Sequence, residues 1–147
     1  MLRIYLDNCC YGRPFDNQKN AVIFEETKAK LQIQSLMQNK EIELVYSSIS
    51  IQEIVDIPFE GIRNFVLDFI NNNAKYYVSN NNNETAIALS TEIMQTGIKL
   101  KYASHVACAI IASCDYLITT DKKLLRYKDS RIKIANPVEF LEIWRLL

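Results

Sequence analysis

Three acidic side chains lie just beyond predicted β-strands, where a parallel sheet would bring them together. Asp7 follows the first strand, Glu53 lies one turn into the helix after the second, and Asp121 follows the fourth. The carboxyl ends of parallel strands share one edge, which is where ligands bind in such sheets. Carboxylates gathered without a neutralising Lys or Arg repel each other, and a hard divalent cation relieves that repulsion. A bound cation of this kind can support phosphodiester hydrolysis.

Each of these acids also has a structural explanation. Asp7 could open a turn, although no helix obviously begins there. The segment Ser50-x-x-Glu53 fits a capping box with Glu53 at the third helical position. Asp121 could cap the N-terminus of the helix that begins at Lys122. The spacing alone therefore leaves both the metal site and the structural roles open.

Apolar runs alternate with helical periodicity along the chain, and this alternation predicts a parallel α/β sandwich. Strands are predicted over 2–6, 43–46, 75–78, 115–119 and 131–135. Helices are predicted over 17–39, 47–57, 60–73, 84–96, 103–113, 122–128 and 137–144. A loop carrying Gly12 and Pro14 follows the first strand, and the asparagine run 80–83 is a second loop. Gly97 closes one helix and Pro137 opens the last.

The chain has 147 residues, of which 49% are hydrophobic and 23% charged. These values fit one domain over 1–147 and exclude a disordered or collagen-like chain. No apolar run approaches the roughly 20 residues of a membrane span, so we expect no membrane contact. An acid as early as Asp7 argues against a signal peptide, and we expect a cytoplasmic protein.

Basic residues concentrate in the last third of the chain. The net charge is zero, but residues 1–96 hold eight Lys/Arg against twelve Asp/Glu, and residues 97–147 hold nine against five. An ordinary solvated surface explains any one of these lysines. As a group they predict an anion-facing patch, with these candidates for contacts to an RNA backbone: Lys99, Lys101, Lys122, Lys123 and Arg126.

Cysteine and histidine content argues against several other sites. The chain has four cysteines, no Cys-x-x-Cys motif and one histidine, which does not suit a structural zinc site. Cys108 lies in an apolar stretch and is predicted to be a small buried hydrophobe. A nucleophilic Cys9 or Cys10 would need His105 as its base. The three glycines are too widely spaced for a nucleotide-binding fingerprint.

Four segments resemble a subgroup of PIN domains. They are residues 5–16 (YLDNCCYGRPFD), 104–109 (SHVACA), 114–121 (CDYLITTD) and 136–141 (NPVEFL). The resemblance spans essentially the whole chain. It implies a three-layer α/β/α sandwich with a parallel five-stranded sheet in the order 3-2-1-4-5. It also implies a metal-dependent ribonuclease, since many bacterial PIN domains are VapC-type toxins of toxin–antitoxin pairs.

The same resemblance assigns roles to individual residues. Asp7, Glu53 and Asp121 match three acids that hold Mg²⁺ or Mn²⁺ and carry catalysis. If the protein is such a nuclease, we expect Thr119 or Thr120 to orient a ligand or water.

One position departs from the family pattern. Tyr102 stands where the motif Asp-Ala-x-His has its aspartate, and a neutral phenol is a poor Mg²⁺ ligand. We therefore expect weakened metal binding. We expect His105, in the same motif, to pack and form hydrogen bonds rather than catalyse.

Two functional hypotheses follow from these residues. The first is a metal-dependent endoribonuclease impaired by Tyr102, and the second is a catalytically silent PIN domain that binds RNA or a protein partner. A phosphatase of the haloacid-dehalogenase type would need an aspartate where Cys9 stands. By resemblance, the expected partners are RNA, an antitoxin protein and a second copy of the chain. The helical segment around Phe65 and Phe69 is a candidate interface element, and core packing explains these two residues equally well.

Overall fold

The computed structural model describes residues 1–12, 16–80 and 83–147. One parallel sheet with the strand order β3-β2-β1-β4-β5 forms its centre. The strands are β1 (Arg3–Leu6), β2 (Glu43–Ser47), β3 (Ala74–Val78), β4 (Tyr116–Ile118) and β5 (Lys133–Ala135). The predicted fold class and the order 3-2-1-4-5 are both confirmed.

Helices cover both faces of the sheet. They are α1 (Asn8–Gly12), α2 (Ala21–Gln38), α3 (Ser48–Val55), α4 (Glu60–Asn73), α5 (Glu84–Met94), α6 (Leu100–Ile111), α7 (Lys122–Arg126) and α8 (Pro137–Arg145). None of the described helices is long and apolar enough to span a membrane.

Alternate residues of the central strands β1, β2 and β4 belong to two separate cores. Ile4 and Leu6 pack in one core with residues of α2, α4 and α8, whereas Tyr5 lies in the other with residues of α6. The central strands β1, β2 and β4 are apolar on both faces because the middle of a parallel sheet in this layered fold is buried on both sides, whereas the edge strands β3 and β5 are partly exposed. This burial explains why the strand sequences read as continuous apolar runs.

The central strand β1 pairs with β2 on one side and with β4 on the other. The chain passes from β1 to β2 and reaches β4 only later, so the winding direction changes between β1 and β4. A crevice opens outside the carboxyl ends of two strands at such a switch point. Asp7 extends this pairing, because its amide donates to the carbonyl of Ile118 at 2.9 Å.

Local structure differs from the sequence prediction mainly after β1. The predicted loop is wrong over residues 8–12, which form α1, while Pro14 lies outside the described residues. The amide of Cys10 bonds to the carbonyl of Asp7 at 2.9 Å, and Cys10 is buried in the core. A turn this short has no amphipathic period, so the sequence does not display it.

Three helices begin at different residues than predicted. The first long helix begins at Ala21 rather than near residue 17, because Asn20 caps it by accepting from two backbone amides. The central helix α6 begins at Leu100 rather than at Ala103. The prediction missed the first turn because that turn lacks the apolar pattern that starts at Ala103. In α3 the N-cap is Ser47, with Ser50 at the third position, so the capping box predicted for Glu53 is wrong.

Other predicted features have a definite outcome. Asn83 caps α5, while residues 81 and 82 of the asparagine run lie outside the described residues. Helix α5 ends at Met94 with Gln95 as its C-cap, so Gly97, which was predicted to close the helix, lies two residues beyond the cap with a positive φ of 104°. Pro137 opens α8 as predicted. Cys108 is fully buried, as predicted.

Candidate metal site

A cavity of about 460 Å³ lies at the carboxyl edge of the sheet. The three acids selected from the sequence all line it, together with Tyr102. Apolar side chains from the α3–α4 segment form one wall. The lining residues are Asp7, Asn8, Cys9, Asp16, Glu53, Ile57, Phe59, Ile62, Lys101, Tyr102, His105 and Asp121.

Asp7 is the most buried of the three acids, with 7% of its surface exposed. Its Oδ2 accepts hydrogen bonds from the Thr119 hydroxyl at 2.8 Å and from the Cys9 thiol at 3.3 Å. Its Oδ1 lies 3.9 Å from Nε2 of His105. Strand β1 therefore delivers a carboxylate with one oxygen fixed and the other turned toward the imidazole.

Glu53 lies in α3 and is surrounded by donors. Its Oε1 lies 2.6 Å from Nε2 of His105 and accepts from the Asn8 amide at 2.9 Å, while Oε2 pairs with Lys101 at 3.2 Å. Burial by itself would raise the pKa of Glu53, but His105 and Lys101 outweigh it and lower the pKa to about 2. The expectation of carboxylates without a neutralising cation is thus wrong for Glu53.

Asp121 combines a structural role with a place in the cavity. Its Oδ1 caps α7 by accepting from the amides of Lys123 at 2.8 Å and Leu124 at 3.4 Å, which confirms the predicted N-cap. Its Oδ2 accepts from the Tyr102 hydroxyl at 2.9 Å. Burial raises the pKa of Asp121, but these hydrogen bonds outweigh burial and hold the pKa below its usual value.

Tyr102 therefore contacts an acid of the site directly. The hydrogen bond to Asp121, more than burial, raises the pKa of the Tyr102 phenol above its ordinary value. A neutral hydroxyl thus lies where the family pattern has a fourth carboxylate.

His105 is almost fully buried and joins two parts of the structure. Its Nδ1 lies 2.6 Å from the Tyr5 hydroxyl, and its Nε2 faces Glu53. The predicted hydrogen-bonding role is confirmed, but the sequence did not indicate that the imidazole would face Asp7 and Glu53. Both ring nitrogens have partners in these contacts, which leaves neither to act as the base for Cys9.

The remaining predicted residues surround this centre. Thr119 is fully buried and also accepts from the amide of Asp121 at 3.0 Å, while the amide of Thr120 donates to the sulfur of Cys9 at 3.4 Å. The candidate RNA-contacting residues are all exposed, and they are Lys99, Lys101, Lys122, Lys123 and Arg126. Lys101 differs from the others because it pairs with Glu53.

The donor set fits one divalent cation. Asp7, Glu53 and His105 each offer a ligand atom, and these atoms lie within 4.8 Å of one another. Carboxylate oxygens and an imidazole nitrogen are donors that divalent metal ions accept. Asp121 is outside this group, and both its oxygens already accept hydrogen bonds. The fit therefore supports one ion rather than two.

The sheet order, the helices on both faces and the acids at the carboxyl edge define a PIN-like fold. No protein-family model and no curated protein matches the chain. Among solved structures, the chain is similar to one described as the crystal structure of VapBC2 from Rickettsia felis bound to a DNA fragment from their promoter. The alignment has a TM-score of 0.57 and 19% identity, and it covers 92% of this chain and 98% of that chain. The likeness establishes the fold.

Proposed function

We propose that this protein is a metal-dependent endoribonuclease of the PIN/VapC type, acting as the toxin of a toxin–antitoxin pair. The observation that carries the proposal is the convergence of Asp7, Glu53 and Asp121 in one cavity at the switch point of a PIN-like sheet. The likeness to a VapBC2 structure supports the same class. We propose a single domain over 1–147 that works in the cytoplasm.

The chain's own residues would hold and orient the reactants. Asp7 and Glu53 would bind Mg²⁺ or Mn²⁺, because both lie in the group of mutually close ligand atoms, and Asp121, which lines the same cavity, would complete the acidic set that holds the ion. Such an ion supplies an activated water and stabilisation of the leaving oxygen. Thr119 fixes Oδ2 of Asp7, so the other oxygen keeps its direction. Thr120 lies beside them, with its amide bonded to Cys9.

RNA would approach over the basic surface next to the cavity. Lys122 and Lys123 begin α7 directly after Asp121, and Arg126 ends it. Lys99 is the N-cap residue of α6, and Lys101 lies in its first turn next to Tyr102 in the sequence. Exposed cations here would contact phosphates without selecting a sequence.

A second candidate is a catalytically silent PIN domain that binds RNA or a protein. The hydrogen bond from Tyr102 to Asp121 favours it, because that bond occupies a carboxylate oxygen that a cation would need. The ion pair between Lys101 and Glu53 acts in the same direction. Under this second hypothesis the protein still binds RNA or a protein partner but no longer cleaves RNA.

The partners we propose are RNA, an antitoxin protein and a second copy of the chain. The proposal of an antitoxin partner is based on the similarity of the chain to the VapBC2 structure. For the homodimer, α4 supplies Phe65, whose surface is 53% exposed. Phe69, the other residue selected from the sequence, packs in the core with 8% exposure and is withdrawn as an interface residue.

The test is cleavage of a panel of structured RNAs with Mg²⁺ or Mn²⁺. We would compare the parent protein with Asp7→Asn and Tyr102→Asp. Glu142→Gln, an exposed acid on α8, is the matched control for loss of a carboxylate.

We expect the parent and Glu142→Gln to cleave RNA with similar rates and Asp7→Asn to be inactive. Tyr102→Asp should cleave faster than the parent, because it adds a fourth carboxylate next to Asp121. Cleavage by Tyr102→Asp alone would instead support the silent domain. Cleavage by none of the proteins, with all of them folded, would contradict the nuclease proposal.

A further inference from the structure

Phe59 occupies a position that neither its helix nor the core explains. It is the N-cap residue of α4, but its side chain forms no capping hydrogen bond, although Ser, Thr, Asp or Asn is preferred at that position. It is 65% exposed and belongs to neither of the two cores. Residues that break a local rule without a structural gain are expected at functional sites.

The ring of Phe59 is part of an apolar wall inside the cavity of the candidate metal site. Ile57 and Ile62 line the same cavity, and both are half-buried against the core. Arg63 holds this segment in place, because its guanidinium donates to the carbonyl of Ile57 at 2.7 Å and its amide to that of Phe59 at 3.0 Å. The cavity therefore contains a fixed apolar surface with one exposed phenyl ring.

The charges around this wall determine which ligand suits it. The three acids of the cavity repel phosphates, whereas Lys101 lines the cavity with a side chain that is 63% exposed. Lys122 and Lys123 are exposed and follow Asp121 directly. A nucleotide combines an uncharged planar base with an anionic phosphate, so its base can lie on the wall while the neighbouring phosphates reach the lysines. An apolar side chain of a protein partner would use the wall alone.

We propose that Phe59 stacks on one unpaired base of the RNA and thereby selects single-stranded segments for the site. Aromatic side chains bind single strands in this way, and every base has a face that can stack. The bases of a duplex are already stacked on each other, so the wall favours loops and other unpaired regions. The inference rests on the proposed function for its ligand, which is RNA. Stacking is nevertheless measured without metal and without cleavage.

The test measures what a single base adds to binding. The ligands are a short labelled RNA in which every nucleotide is abasic and the same RNA with one adenine at its centre. Fluorescence anisotropy of the full-length protein is measured in EDTA at low salt, so that no metal-dependent cleavage occurs. We expect the adenine to tighten binding by the parent at least about fivefold, the lower end of base–aromatic stacking. Phe59→Ala should bind the two RNAs with equal affinity.

Phe65→Ala is the matched control. Phe65 is a second phenylalanine of this segment, it is 53% exposed, and it is not among the described residues that line the cavity. Phe65→Ala should therefore keep the gain from the adenine. Phe59→Tyr should keep it as well, because a phenol ring also stacks. Phe59→Leu should lose it, because leucine has the apolar bulk but not the planar face.

A spectroscopic signature supports the same assignment. The central adenine is replaced by 2-aminopurine, whose fluorescence is quenched by stacking. We expect quenching on binding to the parent and to Phe65→Ala, and none on binding to Phe59→Leu. This readout does not depend on the overall affinity of each variant.

Three results would overturn the inference. The first is no gain from the adenine in the parent, and the second is an equal gain in the parent and Phe59→Ala. The third is a gain that Phe59→Leu retains, because the wall would then be an aliphatic surface of the kind that a protein side chain uses. Cleavage with Mg²⁺ without a gain from the adenine would uphold the proposed function and refute stacking. A gain without cleavage of any RNA would do the reverse.

Discussion

Tyr102 shows how one residue can alter an acidic site through a single contact. Its hydroxyl donates to Oδ2 of Asp121, and Oδ1 of the same carboxylate caps α7. Both oxygens of Asp121 are thus used within the chain. Compared with the aspartate of the PIN-domain motif that this segment resembles, the phenol carries no charge, and its hydroxyl also occupies an oxygen of the neighbouring Asp121 carboxylate.

Removing that hydroxyl should raise the pKa of Asp121. Tyr102→Phe deletes a hydrogen bond that favours the ionised carboxylate, so protonation becomes easier. Carboxyl ¹³C shifts followed by NMR titration would measure the change. The chain offers a matched control, because Tyr127 donates to Asp129 at 2.7 Å outside the cavity. Tyr127→Phe should raise the pKa of Asp129 and leave that of Asp121 unaltered, and equal effects of both variants on Asp121 would contradict the assignment.

Glu53 should stabilise the fold in a pH-dependent way. Its pKa falls from 4.5 to about 2 on folding. A lowered pKa contributes stability that is fully present above the unfolded value and is lost as the pH falls through the folded value. We therefore expect Glu53→Gln to be less stable than the parent at pH 7, with the difference shrinking between pH 4.5 and about 2. Urea unfolding across this range measures it, with Glu142→Gln as the control. A difference that stays constant would contradict the ion pairing of Glu53.

Two short helices that follow strands position site residues at the cavity. Ser47 ends β2 and caps α3, which places Glu53 in the second turn facing His105. Asp121 follows β4 and caps α7, so its position is set by the helix that it begins. In both cases the capping residue comes directly from the carboxyl end of a strand, which is why the site forms there.

The two roles of Asp121 can be separated by substitution. Asp121→Ala removes the cap and should cost about 1 kcal/mol in the free energy of unfolding. Asp121→Asn keeps a capping oxygen, so its cost should be only a few tenths of a kcal/mol. Denaturant unfolding gives both values. Under the proposed function both variants should lose RNA cleavage, and an active Asp121→Asn would show that Asp121 serves the helix alone.

Charge is distributed unevenly over the whole molecule. The excess of basic residues after residue 96 places exposed cations on α6 and α7, beside the cavity. The acids concentrate in the first two thirds of the chain. The molecule as a whole is neutral, so any attraction for RNA must come from this one side.

The salt dependence of RNA binding should locate this surface. Replacing Lys122 and Lys123 together by Gln should lower the slope of log affinity against log salt by about 1.4, since each single-strand phosphate contact contributes about 0.7. Fluorescence anisotropy with a labelled RNA at several salt concentrations measures the slope. Lys75 and Lys133 lie at the amino ends of β3 and β5, on the edge of the sheet opposite the cavity. Their double replacement by Gln is therefore the control. Equal slopes for the two double variants would contradict a binding surface at α7.

Most of the helices and strands, and the identities of the acids, could be predicted from the amino-acid sequence. The apolar strand segments, the cap at Asp121 and the proline that opens α8 could be recognised because each depends on neighbouring residues. The strand order was accessible only through the resemblance to PIN domains. The short helix α1 escaped detection because one turn carries no periodic signal.

The contacts that the acids make could not be predicted, because they join residues far apart in the sequence. Glu53 meets His105 across 52 residues of sequence, and Asp7 meets Thr119 across 112. Tyr102 and Asp121 come from two different elements, and Lys101 reaches Glu53 from α6 to α3. Such contacts depend on the direction in which each side chain leaves its helix or strand after packing. The sequence thus identifies the three acids, whereas packing brings His105 and Lys101 to Glu53 and Tyr102 to Asp121, and these contacts keep the two carboxylates ionised.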